Sequence, residues 1–479
     1  MENKRSVKEN YIYNLIYQIL IMIIPLITTP YLSRVLLAEN IGIFSYTNSI
    51  VTYFVLFGSL GFSTYAKREI AYLQNDVEKR SKFFWEAIII KSITLLISGI
   101  IYSICFTING EYKFYYKILL LEFLSNIIDI SWFFQGMEDF KKVVIRNTFI
   151  KILFTFLIFI LIKKPSDLWI YILIYVLSTF LGNVTFWIKI EKYIVKVTEK
   201  LELKKHIKPA IVLLIPQISI QVYTMLDKVM LGSIISDKSE VGYYEQSSKI
   251  VRLALTIVTT LGTVMSVRIA NIFASGNNEE IKDKIYKSFK FVFFLGTPIM
   301  FGLIGISDNF VPWFYGDGYE KVKILIKVFS PIVIFVGCSN VIGTQYLIPT
   351  KEQNKYTIAV IASAIVNVIL NIILIPKYLS IGAAISSVIA EITGLLIQIL
   401  FVKNIFDIKK IFKLLKKYLI ASIFMLIVII IMEKYLECSI INTFLISLVA
   451  IIIYVIILIF MREEIIIQNI KVLESKIKK

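Results

Sequence analysis

Two positively charged residues, Lys249 and Arg252, lie in a segment that is otherwise long and apolar enough to cross a membrane. The segment begins at Ser247 and reads SSKIVRLALTIVTTLGTVMSVRIA, with a third cation at Arg268 and no acidic residue. A charge at membrane depth is costly unless it is paired, hydrated or facing a cavity. We therefore expect Lys249 and Arg252 either to face a cavity or to pair with acidic side chains.

The polar residues of this segment gather on one side of the predicted helix. At about 100° per residue they fall in one sector roughly 100° wide. They are Lys249, Arg252, Thr256, Thr259, Thr260 and Thr263. The acids closest in sequence or on neighbouring helices are Glu245, Asp227 and Glu240. Arg268 lies off this stripe at the predicted cytoplasmic end, where snorkelling to lipid phosphates explains a cation.

A second polar face is predicted in the helix before this one. Its members share one side at helical spacing, and Asp227 lies beside them; they are Gln217, Gln221, Thr224 and Lys228. Hydrogen bonding between helices is the alternative explanation for such residues. Pro216 in this helix, and Pro25 and Pro30 in the first helix, each remove a backbone hydrogen bond and permit a bend.

Further acidic residues lie inside predicted spans. The candidates for binding Na⁺ or a proton, and so for coupling transport to an ion gradient, are Asp227, Glu122, Asp129 and Glu391. Glu122 and Asp129 are seven residues apart and share a helix face. A structural pair between Lys91 and Asp129 is the alternative. We expect no metal site, no bound cofactor and no catalytic residues.

The elements that position these residues are membrane-spanning helices. The chain has 479 residues, 57% of them hydrophobic, and a mean hydropathy of +0.76. Its apolar blocks approach or exceed the roughly 20 residues of a transmembrane helix. We predict an all-α polytopic membrane protein with about 14 spans. They are 12–33, 41–63, 84–107, 113–134, 144–163, 168–189, 208–232, 243–270, 289–314, 324–347, 356–375, 379–402, 414–432 and 440–461.

The net charge of +18 reflects the membrane topology of the chain, because most basic residues lie in segments predicted to face the cytoplasm. With the amino terminus inside, about 35 of the 52 Lys and Arg fall in inward segments and about 10 in outward loops. This argues against nucleic acid as the reason for the basic excess, and it predicts a multi-pass membrane protein with both termini cytoplasmic.

The chain looks duplicated at an offset of 200 residues. Gly42 aligns with Gly242, Asn48 with Ser248 and Arg68 with Arg268. Ser45, Asn48, Ser49, Thr52, Ser59 and Ser63 repeat the polar stripe in the second span. Six helices per copy predict parallel repeats around a central cleft. The predicted lobes are 1–203 and 204–402, followed by two more helices and a cytoplasmic tail in 403–479.

Other sequence features argue against an enzyme. Outward loops are short and cluster no His, Asp and Arg, and no phosphate-binding loop of the Walker type is present. The only histidine, His206, is interpreted as a solvated loop residue. Cys105, Cys338 and Cys438 have no metal-like spacing and are interpreted as packing residues.

Several stretches resemble the Wzx-type oligosaccharide flippases, the polysaccharide-export branch of the multidrug/oligosaccharidyl-lipid/polysaccharide exporter superfamily. These stretches are PLITTPYLSRVLLAENIGIFSYTNSIVTYFVLFGSLGF, DISWFFQGMEDFKK, TMLDKVMLGSI and QYLIPTKEQNKYTIAVIASAIVNVILNIILIPKYLSIGAAISS. The resemblance implies a two-lobed, fourteen-helix fold. It also implies alternating access that moves undecaprenyl-pyrophosphate-linked glycans outward for capsule, O-antigen or teichoic-acid synthesis, beside polymerases and glycosyltransferases.

The resemblance gives the cations a substrate. A pyrophosphate crosses the membrane more easily in an aqueous cavity lined by Lys and Arg. The substrate path would include Arg34, Lys228, Lys249 and Arg252. Sugar hydroxyls would contact Asn48, Gln217 and Gln221 on the shared faces. Arg34 can equally anchor the outer end of the first helix.

Other functions remain open at this stage. A lipid II flippase or a teichoic-acid precursor flippase has the same expected features. A multidrug or cation antiporter would carry an acidic cavity and normally twelve helices. A membrane polysaccharide polymerase would need a large catalytic outward loop.

Overall fold

The computed structural model describes the backbone of residues 7–188 and 190–467. Within these ranges it describes all side chains except those of residues 7–19, 21, 140–143, 145, 215–224 and 263. The described residues form helices, turns and irregular segments and contain no β-strand. Two compact units divide the chain at residues 1–229 and 230–479.

Nine α-helices begin in the described part of the first unit, and the ninth ends just beyond the boundary of that unit. They are α1 (Val7–Gly58), α2 (Phe62–Tyr72), α3 (Val77–Phe106), α4 (Lys113–Leu119), α5 (Leu121–Ile127), α6 (Ser131–Gly136), α7 (Phe140–Leu161), α8 (Leu168–Val184) and α9 (Lys204–Ile234). Short 3₁₀ turns flank α8.

Seven more α-helices lie within the described part of the second unit. They are α10 (Ser239–Ala274), α11 (Asn278–Tyr315), α12 (Glu320–Phe329), α13 (Ile332–Ile342), α14 (Gln353–Val402), α15 (Ile408–Glu433) and α16 (Ile440–Phe460). A π-helical turn at residues 343–347 follows α13.

The prediction of an all-helical, multi-pass membrane protein is confirmed. Ten helical stretches in the described part of the chain are long and apolar enough to span a membrane. Two of the ten lie in helices that contain a backbone break. The count of fourteen spans, the lobe boundaries and the side of the membrane that each terminus occupies stay predictions.

Backbone breaks turn α1 and α14 into pairs of helices. A straight helix of the 52 residues of α1 would be roughly 78 Å long, far more than a bilayer core of about 30 Å. Leu37 interrupts α1 at φ 63°, and Leu379 interrupts α14 at φ 56°. A Cβ on Gly382 would collide with the carbonyl group of Leu374, so the chain doubles back sharply at this break.

The first unit contains two apolar cores. The larger one joins α1, α3, α4, α5, α7 and α8 around residues such as Leu36, Tyr102 and Ile172. The second is largely aromatic and lies at one end of the unit, where α2, α6 and the first turns of α3 meet. Phe84 and Phe133 are fully buried there, with ring centroids 5.2 Å apart.

In the second unit the last two helices pack on α11. Ser422 of α15 donates a hydrogen bond to the Thr297 hydroxyl over 2.9 Å, and Tyr454 of α16 donates to the Phe294 carbonyl over 2.8 Å. At the other end of α11, the Asn309 amide donates to Glu433 over 3.1 Å. The helices predicted to lie outside the repeat are therefore built into the second unit.

The interpretation of His206 as a solvated loop residue is wrong. His206 lies in the first turn of α9, is 6% exposed and has an edge-on contact with the Phe83 ring. Its Nδ1 is 2.8 Å from the Tyr65 hydroxyl and its Nε2 is 2.8 Å from Glu86 Oε2. Apolar side chains of α2 and α3 surround and bury His206. The lysine-rich sequence around His206 gave no indication of this burial.

The buried network of Tyr65, His206 and Glu86 is joined by hydrogen bonds whose donors and acceptors follow from the chemistry of these side chains. Burial, reinforced by the negative charge of Glu69, raises the pKa of Tyr65 to about 12, so its hydroxyl stays protonated and donates to Nδ1. The Nε2 atom of His206 carries a proton and donates to Glu86, because a carboxylate only accepts. Glu86 Oε1 also accepts from the Glu202 amide over 2.7 Å, which ties the segment before α9 to α3.

The connection before α9 gives a first prediction. Glu86→Gln removes the charge that accepts the bonds from His206 and Glu202, and each charge-assisted hydrogen bond contributes about 1.5–3 kcal/mol. We expect trypsin to cleave at Lys196 and Lys200 about tenfold faster in membrane vesicles. Glu78→Gln, an exposed position on the same helix, is the matched control. Equal cleavage rates in the two variants would contradict this role.

Gly61 gives a second prediction. It has φ +72°, and an added Cβ would lie 2.7 Å from the Ala210 carbonyl oxygen and the Leu214 amide of α9. Gly276 has a similar φ of +76° and open space around it. Both Gly→Ala variants carry a strain of about 1–2 kcal/mol, but only Gly61→Ala adds overpacking of about 1–3 kcal/mol.

Thermal denaturation in detergent, followed by size-exclusion chromatography, tests this difference. We expect Gly61→Ala to unfold at a clearly lower temperature than Gly276→Ala. Identical midpoints would show that α9 does not approach the turn before α2 this closely.

Candidate functional site

The polar stripe of α10 lies away from the side on which the helix packs. The packed side contains Val251, Val258, Gly262 and Ile269, all buried. At Gly262 an added Cβ would collide with the Asn340 side chain of α13. Helical geometry places this side about 130° from the centre of the stripe. The stripe therefore does not serve the packing of α10 against α13.

The stripe is accessible at several positions. Arg252, Thr256 and Thr260 are exposed, and Lys249 is half-buried. The Thr256 hydroxyl donates to the Arg252 carbonyl over 2.9 Å, and Thr260 donates to the Thr256 carbonyl over 2.6 Å. Such bonds satisfy the hydroxyl protons within the helix. The surface thus combines cationic side chains with threonine hydroxyl groups.

Glu240, one of the acids considered as a partner for the stripe, belongs to another network. Its Oε1 lies 2.6 Å from Lys321 Nζ, and its Oε2 accepts from the Ser380 hydroxyl over 2.5 Å. The Ser380 amide also donates to Oε2 over 3.0 Å. Glu240 thus joins α10 to α12 and to the residue after the break in α14, and its role is structural.

Arg34 lies on the exposed side of α1. Its Nη1 donates to the Pro30 carbonyl over 2.7 Å, one turn earlier in the same helix.

The predicted polar face of α9 is described only in part. Lys228 is half-buried and Asp227 is 2% exposed, so these neighbours differ in their access to solvent. The side chains of Gln217 and Gln221 lie outside the described residues.

A polar cavity of about 510 Å³ lies within the first unit. It is bounded by the second half of α1, the start of α2, α5 and α8. Its polar lining residues are Asn48, Thr52, Ser59, Ser63, Thr64, Glu122, Asn126 and Tyr175. Four members of the predicted stripe in the second span therefore face one cavity, whereas Ser45 and Ser49 are buried.

Sequence reasoning did not connect Glu122 with this stripe. Asn126 lies one helical turn after Glu122 and was missed, although the spacing of four residues places both on one face of a helix. Tyr175 was missed because one tyrosine among 27 has no distinguishing pattern.

The alternative explanation for Asp129 is confirmed. Lys91 Nζ lies 3.9 Å from Asp129 Oδ2 and donates to the Asp129 carbonyl over 3.1 Å. Asp129 Oδ1 also accepts from the Ser131 amide at the start of α6 over 2.8 Å. Glu122 and Asp129 thus have different surroundings, and Glu391 lies half-buried on α14, in the second unit.

Two further cations, one within a predicted span and one at a helix end, have acidic neighbours. Lys327 Nζ lies 2.6 Å from Asp308, and Arg268 lies 3.5 Å from Glu280. Cys105, Cys338 and Cys438 are free thiols. The described residues contain no group of three His, Cys, Asp or Glu side chains that could hold a metal ion.

Comparison with protein families shows to which family the chain belongs. A family described as "Polysaccharide biosynthesis protein" matches residues 7–267, more than half of the chain. The chain belongs to this polysaccharide biosynthesis protein family. A second family, MatE, matches residues 213–376. The resemblance seen in the sequence motifs is thereby confirmed.

Relatives of this polysaccharide biosynthesis protein include transporters. A protein of Escherichia coli (strain K12), provisionally named an O-antigen transporter, is 25% identical over 409 residues, covering 84% of this chain and 98% of the relative. The lipid II flippase MurJ in an inward closed conformation has a TM-score of 0.71 at 20% identity, covering 94% of this chain and all of that one.

An inward-facing multidrug resistance MATE family transporter has a TM-score of 0.58 at 12% identity, covering 82% of this chain and 99% of that one. At these identities the two structures establish the fold and nothing about the substrate.

The Lys91–Asp129 pair predicts how this family member responds to mutation. Lys91→Met leaves a partly buried carboxylate without its ammonium partner, which costs about 3–5 kcal/mol in comparable buried pairs. We expect a lower denaturation temperature for Lys91→Met and partial recovery in the Lys91→Met, Asp129→Asn double variant. Denaturation in detergent measures both.

The control is Lys82→Met, which breaks the surface contact of 2.7 Å with Glu199 and should change the denaturation temperature little. If Lys91→Met and Lys82→Met denature at the same temperature, Lys91 does not stabilise the first unit through this pair.

Proposed function

We propose that this protein is a flippase that moves undecaprenyl-pyrophosphate-linked oligosaccharide repeat units across the bacterial cytoplasmic membrane for surface polysaccharide synthesis. The observation that carries the proposal is the cationic stripe of α10, which lies away from the packed side of its helix. The name of the Escherichia coli relative and the membership of the chain in the polysaccharide biosynthesis protein family also support transport of a polysaccharide precursor.

The physical problem of the reaction explains the cations. A pyrophosphate is strongly hydrated, and its transfer into hydrocarbon costs far more free energy than any single contact with the protein contributes. Lys249 and Arg252 would replace part of its hydration shell, and Arg would bind two oxygens at once. The polyprenyl chain is apolar and would stay in the lipid, so the protein does not need to enclose it. Arg34 and Lys228 would extend the path.

The remaining parts of the proposal concern the transport cycle. Two six-helix lobes, 1–203 and 204–402, would alternate between inward and outward access, with both termini cytoplasmic. The prolines of α1 and the breaks at Leu37 and Leu379 provide places where helices change direction. Na⁺ or a proton would couple at Asp227 or Glu391. The protein acts as a transporter and not as an enzyme, beside polymerases and glycosyltransferases.

Reconstitution tests the proposal. Proteoliposomes would contain a fluorescent polyprenyl-pyrophosphate oligosaccharide, and a membrane-impermeant reagent would report its arrival in the opposite leaflet. We expect the wild-type protein to move the substrate and Lys249→Ala, Arg252→Ala to slow it at least about tenfold, since a charge-assisted hydrogen bond contributes about 1.5–3 kcal/mol. Arg268→Ala, on the same helix but off the stripe, is the matched control.

Three results would contradict the proposal. Movement of lipid II in preference to the oligosaccharide lipid would favour the lipid II flippase. Export of organic cations without movement of either lipid would favour the antiporter. Equal losses in the stripe variant and in Arg268→Ala would show that the stripe has no special role in transport.

A further inference from the structure

The polar cavity of the first unit contains a carboxylate without a counterion. Glu122 Oε1 is fully buried and has no hydrogen-bond partner among the residues that the structure describes. None of the residues that line the cavity is a lysine, arginine or histidine. Buried polar atoms are nearly always hydrogen-bonded, so a group left in this state inside a cavity indicates a missing donor. That donor is either solvent or a ligand.

The size of the cavity argues for an organic ligand. Protein cavities that bind small molecules typically measure about 300–1,000 Å³, and this one measures about 510 Å³. A hard metal cation instead needs several oxygens that all lie within about 2.6 Å of one point. Glu122 is the only acidic side chain in the lining, so the cavity is large and weakly charged for an ion site.

The lining chemistry suits a ring that bears several hydroxyl groups. Asn48 and Asn126 each offer donors and an acceptor, and the carboxylate of Glu122 is a strong acceptor. Tyr175 is 38% exposed, and its ring makes an edge contact with Phe44 at 5.2 Å between centroids, which supports its orientation. An aromatic ring of this kind offers a flat apolar surface beside polar groups, as a sugar ring requires.

The charge of the cavity restricts the kind of sugar. An acidic sugar would place a second carboxyl group beside that of Glu122 in a poorly solvated site, where no cation of the lining offsets a negative charge. The Glu122 carboxylate would favour a ring that presents O–H or N–H donors. A sugar whose carboxylate needs a cation finds none among these lining residues.

We propose that this cavity binds one uncharged sugar ring of the transported glycan and that Glu122 selects it against uronic acids. This inference rests on the proposed function. Glu122 would accept hydrogen bonds from two neighbouring hydroxyl groups or from an amide N–H of the ring, and Asn126 and Asn48 would bind the remaining polar groups. The cations of α10 would bind pyrophosphate, whereas the cavity of the first unit would determine which glycan is accepted.

The experiment uses the full protein in proteoliposomes and two matched substrates. Both are polyprenyl-pyrophosphate disaccharides, one with two neutral sugars and one in which glucuronic acid replaces one of them. The variants are Glu122→Gln, which keeps the shape of the side chain and removes its charge, and the exposed control Glu78→Gln. Initial rates over a range of substrate concentrations give kcat and KM for each pair.

We expect wild type and Glu78→Gln to prefer the neutral disaccharide. Glu122→Gln should raise KM for it about tenfold, with kcat little changed, and should reduce the discrimination against the acidic substrate. Size-exclusion profiles report whether the variant is folded. If Glu122→Gln does not fold, Asn48→Ala, at the opposite wall of the cavity, should raise the same KM while leaving the profile unchanged.

Other outcomes separate this inference from the proposed function. If wild-type protein moves neither disaccharide, the proposed function fails. If it moves them but Glu122→Gln keeps the wild-type KM and selectivity, the sugar site is disproved while the flippase function stands. If Glu122→Gln abolishes only the response to a Na⁺ or pH gradient, Glu122 is a coupling residue and the sugar site is likewise disproved.

Discussion

The free-energy cost of a charge in hydrocarbon divides the ionisable side chains of this protein into two groups. One group is paired or hydrogen-bonded within the fold: Lys91 with Asp129 and Glu240 with Lys321 as ion pairs, and His206 with Glu86 as a hydrogen bond. These contacts connect different helices and explain why buried ionisable groups are tolerated. The other group occupies faces where helices do not pack.

The second group defines the functional surfaces. Arg252 is exposed on α10, opposite in charge to Glu122, which lies in the cavity of the first unit. A positive surface and a weakly negative cavity suit the two parts of one substrate: an anionic pyrophosphate and an uncharged glycan. The proposed function and the proposed sugar site therefore use separate residues, and mutations can separate binding of the lipid carrier from choice of glycan.

Much of the fold followed from the apolar blocks in the sequence. Because a span needs a fixed length of apolar helix, block length predicted helices at the right places, including the two helices that α14 contains. The breaks themselves were unpredictable, since Leu37 and Leu379 have no sequence feature that indicates a positive φ. The interpretation of His206 as a solvated residue was wrong because its burial depends on α2 and α3, which lie far away in sequence.

The candidate site was predictable where it follows a single helix. The stripe of α10 depends only on helical periodicity, so the sequence located Lys249 and Arg252 on the side away from packing. The cavity depends on four separate helices, and one sequence does not show which helices are neighbours. Glu122 was therefore recognised as a buried acid, but its association with Asn48 and Thr52 was visible only in the structure.

The break at Leu37 has a mechanical consequence. A single residue joins the two halves of α1, so the connection has no slack that could absorb a change of tilt. A displacement of residue 36 therefore also displaces residue 38, the start of the half in which Asn48 and Thr52 line the cavity. The end of the first half of α1 thus limits where this part of the cavity wall can lie.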